Sequence, residues 1–207
     1  MLKSNITIID YGMGNLFSVK KKISFLNANV KISSKEKDII NADKIILPGV
    51  GHFKKAMDNL NNLNLISVLN FVVNDKKKPV LGICLGMQLM AKNSEEGNVE
   101  GLGWIDANVL KLNVSDKLKF KVPHMGWNQI TIEKDSNLMK NISNSCEFYF
   151  VHSYYIKTNN NIEILNKTEY EKPFTSAIEK ENIFGVQYHP EKSHKFGEIL
   201  LRNFIDL

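Results

Sequence analysis

Cys84 and the pair His189 and Glu191 are the residues whose types and spacing could do covalent chemistry. Cys84 sits in Gly82-Ile83-Cys84-Leu85-Gly86. The apolar run from Val80 to Ile83 predicts a strand covered on both faces, and Leu85, Leu89 and Met90 recur afterwards at helical spacing. Small residues on both sides of the cysteine let the backbone turn sharply from strand to helix and leave the nucleophile on the corner, the mechanics of a nucleophile elbow. The N-terminal amides of the following helix favour negative charge, which suits a thiolate. The same pattern also fits a cysteine packed inertly in a core, so a base is needed. His189-Pro190-Glu191, at the end of the apolar run Ile183 to Tyr188, supplies an imidazole and a carboxylate to hold its tautomer, with Pro190 stiffening the link. Alone it could equally be a loop after a strand. Together the two motifs predict acyl transfer. The thiolate attacks a carbonyl, the Leu85 N–H and a peptide at Val50 or Gly51 hold the oxyanion, His189 protonates the leaving group, and water cleaves the thioester.

The oxyanion peptide is expected in Pro48-Gly49-Val50-Gly51-His52, where flanking glycines let the Val50 peptide rotate at little cost. An ordinary glycine turn before a helix starting near Phe53 is the plainer alternative. Tyr11-Gly12-Met13-Gly14-Asn15 invites a dinucleotide reading, but the third glycine of that fingerprint would fall at Phe17, so the match fails. The five histidines, His52, His124, His152, His189 and His194, form no compact ligand motif, which disfavours metal catalysis. No cofactor is expected.

Positioning these residues takes an alternation of strands and helices. Ile6 to Asp10, Val30 to Ile32, Lys44 to Leu47 and Val80 to Ile83 read as strands separated by helical stretches. Among these are Leu16 to Leu26 with Asn15 as a cap, Phe53 to Leu60 and Leu65 to Val73. This predicts an α/β fold with a mixed, largely parallel, doubly wound sheet flanked by helices. After Asn93 the segments are short and β-rich: Trp104 to Leu112, Asn128 to Glu133, Glu147 to Tyr155, Glu163 to Lys167, Thr175 to Glu179 and Ile183 to Tyr188. An additional antiparallel β-rich portion in the C-terminal half follows, with a last helix from about His194 to Ile205. No Pro/Gly/Ser-rich linker separates the halves, so residues 1–207 are expected to form one domain.

Of the 207 residues 43% are hydrophobic, enough for a full-sized core, and the net charge is +5. Arginine occurs once, at Arg202, and the positive charge is scattered lysine, which argues against nucleic-acid readout. Two cysteines, Cys84 and Cys146, are too few for a disulfide framework. An exposed reactive thiol needs a reducing compartment. Met1 to Asn5 leads straight into a strand and no apolar run has the length of a signal or membrane segment, so the expectation is a cytoplasmic protein with no membrane contact.

At these motifs the chain resembles the class I, triad-type glutamine amidotransferases, and within them the glutaminase subunits of imidazole glycerol phosphate synthase. The likeness runs nearly end to end, through Tyr11 to Asn15, Pro48 to Gly51, Gly82 to Gln88, Pro123-His-Met-Gly-Trp-Asn128, Phe150 to Tyr154 and Gly185 to Ser193. By that resemblance Cys84, His189 and Glu191 are the triad, and Gln88, Glu96, Ser153 and Tyr154 line a glutamine pocket. The Pro48 to Gly51 loop supplies a switchable oxyanion donor. Asn15, His124, Trp127, Asn128 and Lys192 lie near the face that docks a (β/α)8 cyclase in a heterodimer. The resemblance also implies that glutamine is hydrolysed only when the cyclase holds its own substrate, and that ammonia passes through the partner. Trp127 in a loop-like stretch suits an interface anchor, and a core tryptophan is the alternative.

Three rivals stand beside this reading. A sibling amidotransferase feeding ammonia to another synthase, such as one amidinating a surface sugar, would carry the same catalytic motifs. A non-catalytic assembly partner is opposed by the intact Cys84, His189 and Glu191. A cysteine peptidase would need a peptide groove that no motif suggests.

Overall fold

A computed structural model of the chain describes residues 4–207. Met1, Leu2 and Lys3, on which part of the N-terminal expectation falls, lie outside the described residues. The first half runs β1 (Asn5–Ile9), α1 (Leu16–Phe25), β2 (Asn29–Ser33), α2 (Glu36–Asn41), β3 (Lys44–Gly49), α3 (Phe53–Asn62), α4 (Leu65–Asn70), β4 (Val80–Cys84) and α5 (Leu85–Gln88). The second half runs β5 (Asn93–Ser94), β6 (Val99–Glu100), β7 (Ala107–Lys111), β8 (His124–Gln129), β9 (Thr131–Ile132), β10 (Glu147–His152) and β11 (Tyr154–Thr158). It continues through β12 (Ile164–Tyr170), β13 (Lys172–Lys180), β14 (Ile183–Val186) and α6 (His194–Asp206).

The principal sheet has the order β2-β1-β3-β4-β14-β13-β11-β7-β5-β6. From β2 to β14 every pairing is parallel, and β14, from the far end of the chain, lies beside β4. That pairing joins the two halves of the predicted chemistry. Both strands run the same way, so Cys84 and His189 leave the sheet at the same carboxyl edge, where open α/β sheets bind ligands. Beyond β14 the pairings with β13, β11 and β7 are antiparallel, and β8 pairs with β10 in a separate two-stranded sheet.

β3 and β4 are buried along their whole length, because apolar side chains leave them on both faces. Ile45, Leu47 and Val80 join a core with Phe53, Leu60 and Leu69. Ile46, Leu81 and Ile83 join a second core with Phe148, Phe150 and Phe204. Each such side chain contributes about 1.5–3 kcal/mol on burial, so these strands, like the fully buried β14 beside them, are firmly held.

Four expectations need correcting. The helix after Cys84 is a single turn rather than an amphipathic helix reaching Met90, and all four of its residues are buried. The carbonyls of Leu89, Met90 and Ala91 accept instead from the backbone of Leu102, Ile105 and Gly103, so the chain is drawn off into a loop pairing. One turn carries little summed dipole, so only the local amides at Leu85 and Gly86 remain to favour a thiolate. The helix from Leu65 ends at Asn70 and loosens into a π turn over Phe71–Asp75. The segment from His124 is a strand, entered through a cis Val122–Pro123 peptide, rather than loop-like. Finally, the run Glu147 to Tyr155 breaks at Ser153 into β10 and β11, which belong to different sheets.

Candidate active site

Cys84 sits at the junction of β4 and α5 with φ +54° and ψ −111°. A non-glycine residue there is strained, typically by about 1–3 kcal/mol, and persists only where its surroundings over-determine it. The flanking glycines do so. A Cβ on Gly82 would come within 2.7 Å of the Met87 nitrogen, and one on Gly86 would collide with the Leu47 carbonyl oxygen of β3. The corner is therefore pinned between β3 and its own helical turn, as the elbow reading requires.

His189 and Glu191 follow β14 on a one-turn 3-10 helix, Pro190–Lys192. Ser193 ties this turn to β10: its Oγ donates to the His189 carbonyl at 2.6 Å and accepts from the Tyr149 N–H at 3.0 Å. His189 Nδ1 meets Glu191 Oε1 at 2.8 Å with both side chains 2% exposed. The opposite nitrogen, Nε2, is buried without a formed hydrogen bond. Burial opposes charging His189, but the Cys84 sulfur and the Glu191 carboxylate outweigh it and raise the imidazole to about 10. The site thus favours a protonated imidazole next to the Cys84 sulfur, able to give its proton to a leaving amine once that sulfur has attacked a carbonyl.

A cavity of about 250 Å³ opens beside the sulfur. It is lined by Cys84 and by Val50, Gly51, Leu85, Gln88, Glu96, Ser153 and Tyr154, all assigned roles from the sequence, together with Pro123, Val151 and His152, which the motifs contain without an assigned role. Gly51 has φ +112°, a region that disfavours other residues, and Val50 is 41% exposed. A Cβ on Gly49 would collide with the hydroxyl of Tyr11, which donates to the Pro48 carbonyl at 2.7 Å. Tyr11 is wholly buried, and its burial, reinforced by the neighbouring Cys84 charge, holds its phenol protonated. Glu96 faces the cavity while its Oε2 accepts from the Phe53 N–H at 2.7 Å, fixing the start of α3 just beyond the glycine loop.

Behind the cavity lies a chain of buried polar groups. Gln88 Nε2 donates to the Tyr154 carbonyl and to Gln187 Oε1, each at 2.9 Å. Gln187 Nε2 lies 3.5 Å from Cys84 Sγ, and the Val151 carbonyl lies 3.8 Å from it. His152 bonds the Tyr154 carbonyl through Nδ1 at 2.8 Å and His124 Nδ1 through Nε2 at 3.0 Å. The carbonyl can only accept, which places protons on His152 Nδ1 and His124 Nδ1. Tyr11, Gln187 and Ser193 lie inside the sequence motifs, yet no sequence signal assigns their contacts.

The residues expected at a partner face differ in exposure. Asn15 caps α1, its Oδ1 accepting from Ser18 N at 3.4 Å, and α1 packs on the turn carrying Glu191 and Lys192. Trp127 is 44% exposed and stacks on His194, so it is not a core tryptophan. Lys192 reaches over the Tyr149 ring, and Asn128 Nδ2 donates to the Glu169 carbonyl at 2.9 Å. His124 is 3% exposed, stacked on Tyr170 and bonded to His152. As described, it could support that face only from beneath, because the alternation of β8 turns it inward and Met125 outward.

The chain matches the family model described as glutamine amidotransferase class-I over residues 7–207. It is 50% identical to the imidazole glycerol phosphate synthase subunit HisH 2 of Methanococcus maripaludis, over 97% of this chain and 98% of that relative. It is 45% identical to the subunit of the same name from Pseudomonas aeruginosa, over 98% and 99% respectively. Among solved structures, PurLQS from Thermotoga maritima superposes with a TM-score of 0.75 at 14% identity, covering 99% of each chain, a likeness of fold.

Proposed function

The chain belongs to the class-I glutamine amidotransferases, and from that membership we propose that it is the glutaminase subunit of an imidazole glycerol phosphate synthase in histidine biosynthesis. Residues 1–207 act as one amidotransferase domain, a reading supported by the unbroken hydrogen bonding of the principal sheet from β2 to β6. The observation that carries the function is the cavity joining a strained Cys84, the Glu96 carboxylate and the glycine loop in one volume. Glutamine enters with its ammonium toward Glu96 and its carboxamide carbon beside Cys84, with Gln88, Ser153 and Tyr154 lining its path.

The reaction runs through two transfers. The Cys84 thiolate attacks the carboxamide carbon, and the charge that develops on its oxygen is held by the Leu85 N–H and by an amide of the Val50 to Gly51 segment. Glu191 holds the His189 tautomer, and the imidazolium gives its proton to the departing nitrogen, releasing ammonia and leaving a thioester. His189 then takes a proton from water, which attacks the thioester and frees glutamate. Ammonia passes to a (β/α)8 cyclase docked on the face that includes Asn15, Trp127, Asn128 and Lys192, with His124 beneath it. A nucleophilic thiol suits a reducing cytoplasm.

The test is glutamate release from glutamine, measured with the chain alone, with the cyclase, and with the cyclase holding its ribonucleotide substrate. The reading requires a large rise in the last case. No rise there, with a different synthase stimulating instead, would reassign the subunit to a sibling enzyme.

A further inference from the structure

The hydrogen bonds around Cys84 fix an amide donor on its sulfur that the reaction as described does not use. Gln187 and His189 both follow the end of β14 at Val186, where the chain bends over the Cys84 corner and brings both side chains to the sulfur. Gln187 is fully buried. Which end of its amide faces the sulfur follows from a carbonyl. The Tyr154 oxygen can only accept, so the Gln88 atom 2.9 Å from it is the amide nitrogen. The same nitrogen is 2.9 Å from one terminal atom of Gln187, which must therefore be the oxygen. The other terminal atom, 3.5 Å from Cys84 Sγ, is then the nitrogen with its two hydrogens.

We propose that Gln187 is a further catalytic residue, its side-chain N–H donating to the Cys84 sulfur and holding it as a thiolate, with Gln88 as the positioning residue that orients the Gln187 amide. This rests on Cys84 being the glutaminase nucleophile. The sulfur has a distinct neighbour for each protonation state. As a thiol it donates to the Val151 carbonyl at 3.8 Å. As a thiolate it has no use for that oxygen and takes the Gln187 N–H, a charge-assisted bond roughly twice as strong as a neutral one. Gln88 spends both amide hydrogens on Tyr154 and Gln187, so it fills part of the cavity wall and sets the donor behind the nucleophile. The ionisable groups that act on this sulfur or on its imidazole are His189 and Glu191 from the end of β14, Tyr11 from the turn after β1, and His152 from the end of β10.

The test replaces Gln187 with Met and, separately, with Leu in the full chain; both remove the donor without adding charge. Partner-stimulated kcat should fall about 10- to 100-fold with KM within about twofold. The ratio of Cys84 alkylation rates by iodoacetamide at pH 6 and pH 9, assigned by peptide mapping, should fall about tenfold. A merely structural role would not move that ratio. In the unaltered protein, the 15N–1H signals of the Gln187 side chain should shift with the same pH midpoint as Cys84 alkylation, and Cys84→Ala should abolish the shift. An alkylation ratio within twofold of wild type in both variants overturns the proposal. Should neither variant fold, Gln187 side-chain signals that stay flat through the pH midpoint of Cys84 alkylation overturn it on their own. Alkylation and the amide signals need neither glutamine nor cyclase, so their failure is distinct from that of the glutaminase reading, which shows as absent turnover in the wild type.

Discussion

The cavity has two walls of different construction. The inner wall, Cys84 and Gln88 backed by Gln187, His189 and Glu191, is buried just where β4 and β14 end, and direct hydrogen bonds join Gln88 to Gln187, Gln187 to Cys84 and His189 to Glu191. The outer wall, made by Val50, Gly51, Pro123, Ser153 and Tyr154, comes from loop and strand-end positions, with a glycine at positive φ and a half-exposed valine. The inner wall buries groups that must be paired or cost stability, so it is set when the chain folds. In the outer wall the Tyr154 carbonyl is held by Gln88 and His152, whereas among the described residues no side-chain hydrogen bond reaches Val50 or Gly51. On the proposed function, the difference separates the nucleophile, which the fold completes, from the oxyanion donor, which a docked partner can still set.

Removing the nucleophile should give the largest effect. Cys84→Ala should lower glutamine-dependent synthesis by the cyclase complex at least about 10⁴-fold while synthesis from free ammonia persists, as parallel assays with each nitrogen donor will show. On the outer wall, Gly51→Val forces a β-branched residue to φ +112° and drives a Cβ within 2.7 Å of Met13. Partner-stimulated hydrolysis should fall about 100-fold, in keeping with one lost oxyanion donor, while iodoacetamide alkylation of Cys84 changes less than about threefold. Equal losses in both would erase the distinction between the walls. Trp127→Ala should weaken cyclase binding about 30-fold in a titration, as removal of an exposed aromatic anchor does, and leave alkylation of the free subunit unchanged.

The smallest effect concerns the polar pair behind the outer wall. Burial lowers His124 to about 4, and burial together with the neighbouring His124 charge lowers His152 to about 3. Unfolded, both titrate near about 6.5. The stability that goes with their neutral forms is therefore full above that value and drains as pH falls through 4 to 3. His189 runs the other way, its share complete below about 6.5 and lost as pH rises through its raised value near 10. Calorimetry should show the wild-type Tm falling by roughly 5–10 °C between about pH 7 and 4.5, and His124→Gln should lose about half as much. An identical fall in the variant would remove the pair from the account.

The inner wall was legible in the sequence to the extent that it is written in steric terms. Gly82 and Gly86 announce a corner with no room for a Cβ, and His189-Pro190-Glu191 is a local motif at a strand end. The pairing of Gln187 with Gln88 was not legible, because two glutamines 99 positions apart meet only once β14 lies beside β4. β8 was missed because its polarity is inverted, with His124 inside and Met125 and Trp127 outside, so the period-two pattern that marks a strand is scrambled. The short α5 was missed for a related reason. Leu89 and Met90 keep helical spacing, but their carbonyls go to Leu102 and Ile105, a choice made by distant backbone.

The contrast between the walls is tested most directly by measuring two rates on the same preparations: alkylation of Cys84 by iodoacetamide and hydrolysis of glutamine, each with the chain alone and with the cyclase holding its substrate. A nucleophile complete in the free subunit and an oxyanion donor set by docking predict that alkylation stays within about threefold while hydrolysis rises at least about 100-fold, the worth of one oxyanion donor. Alkylation rising in step with hydrolysis would contradict this, because the partner would then be building the inner wall as well.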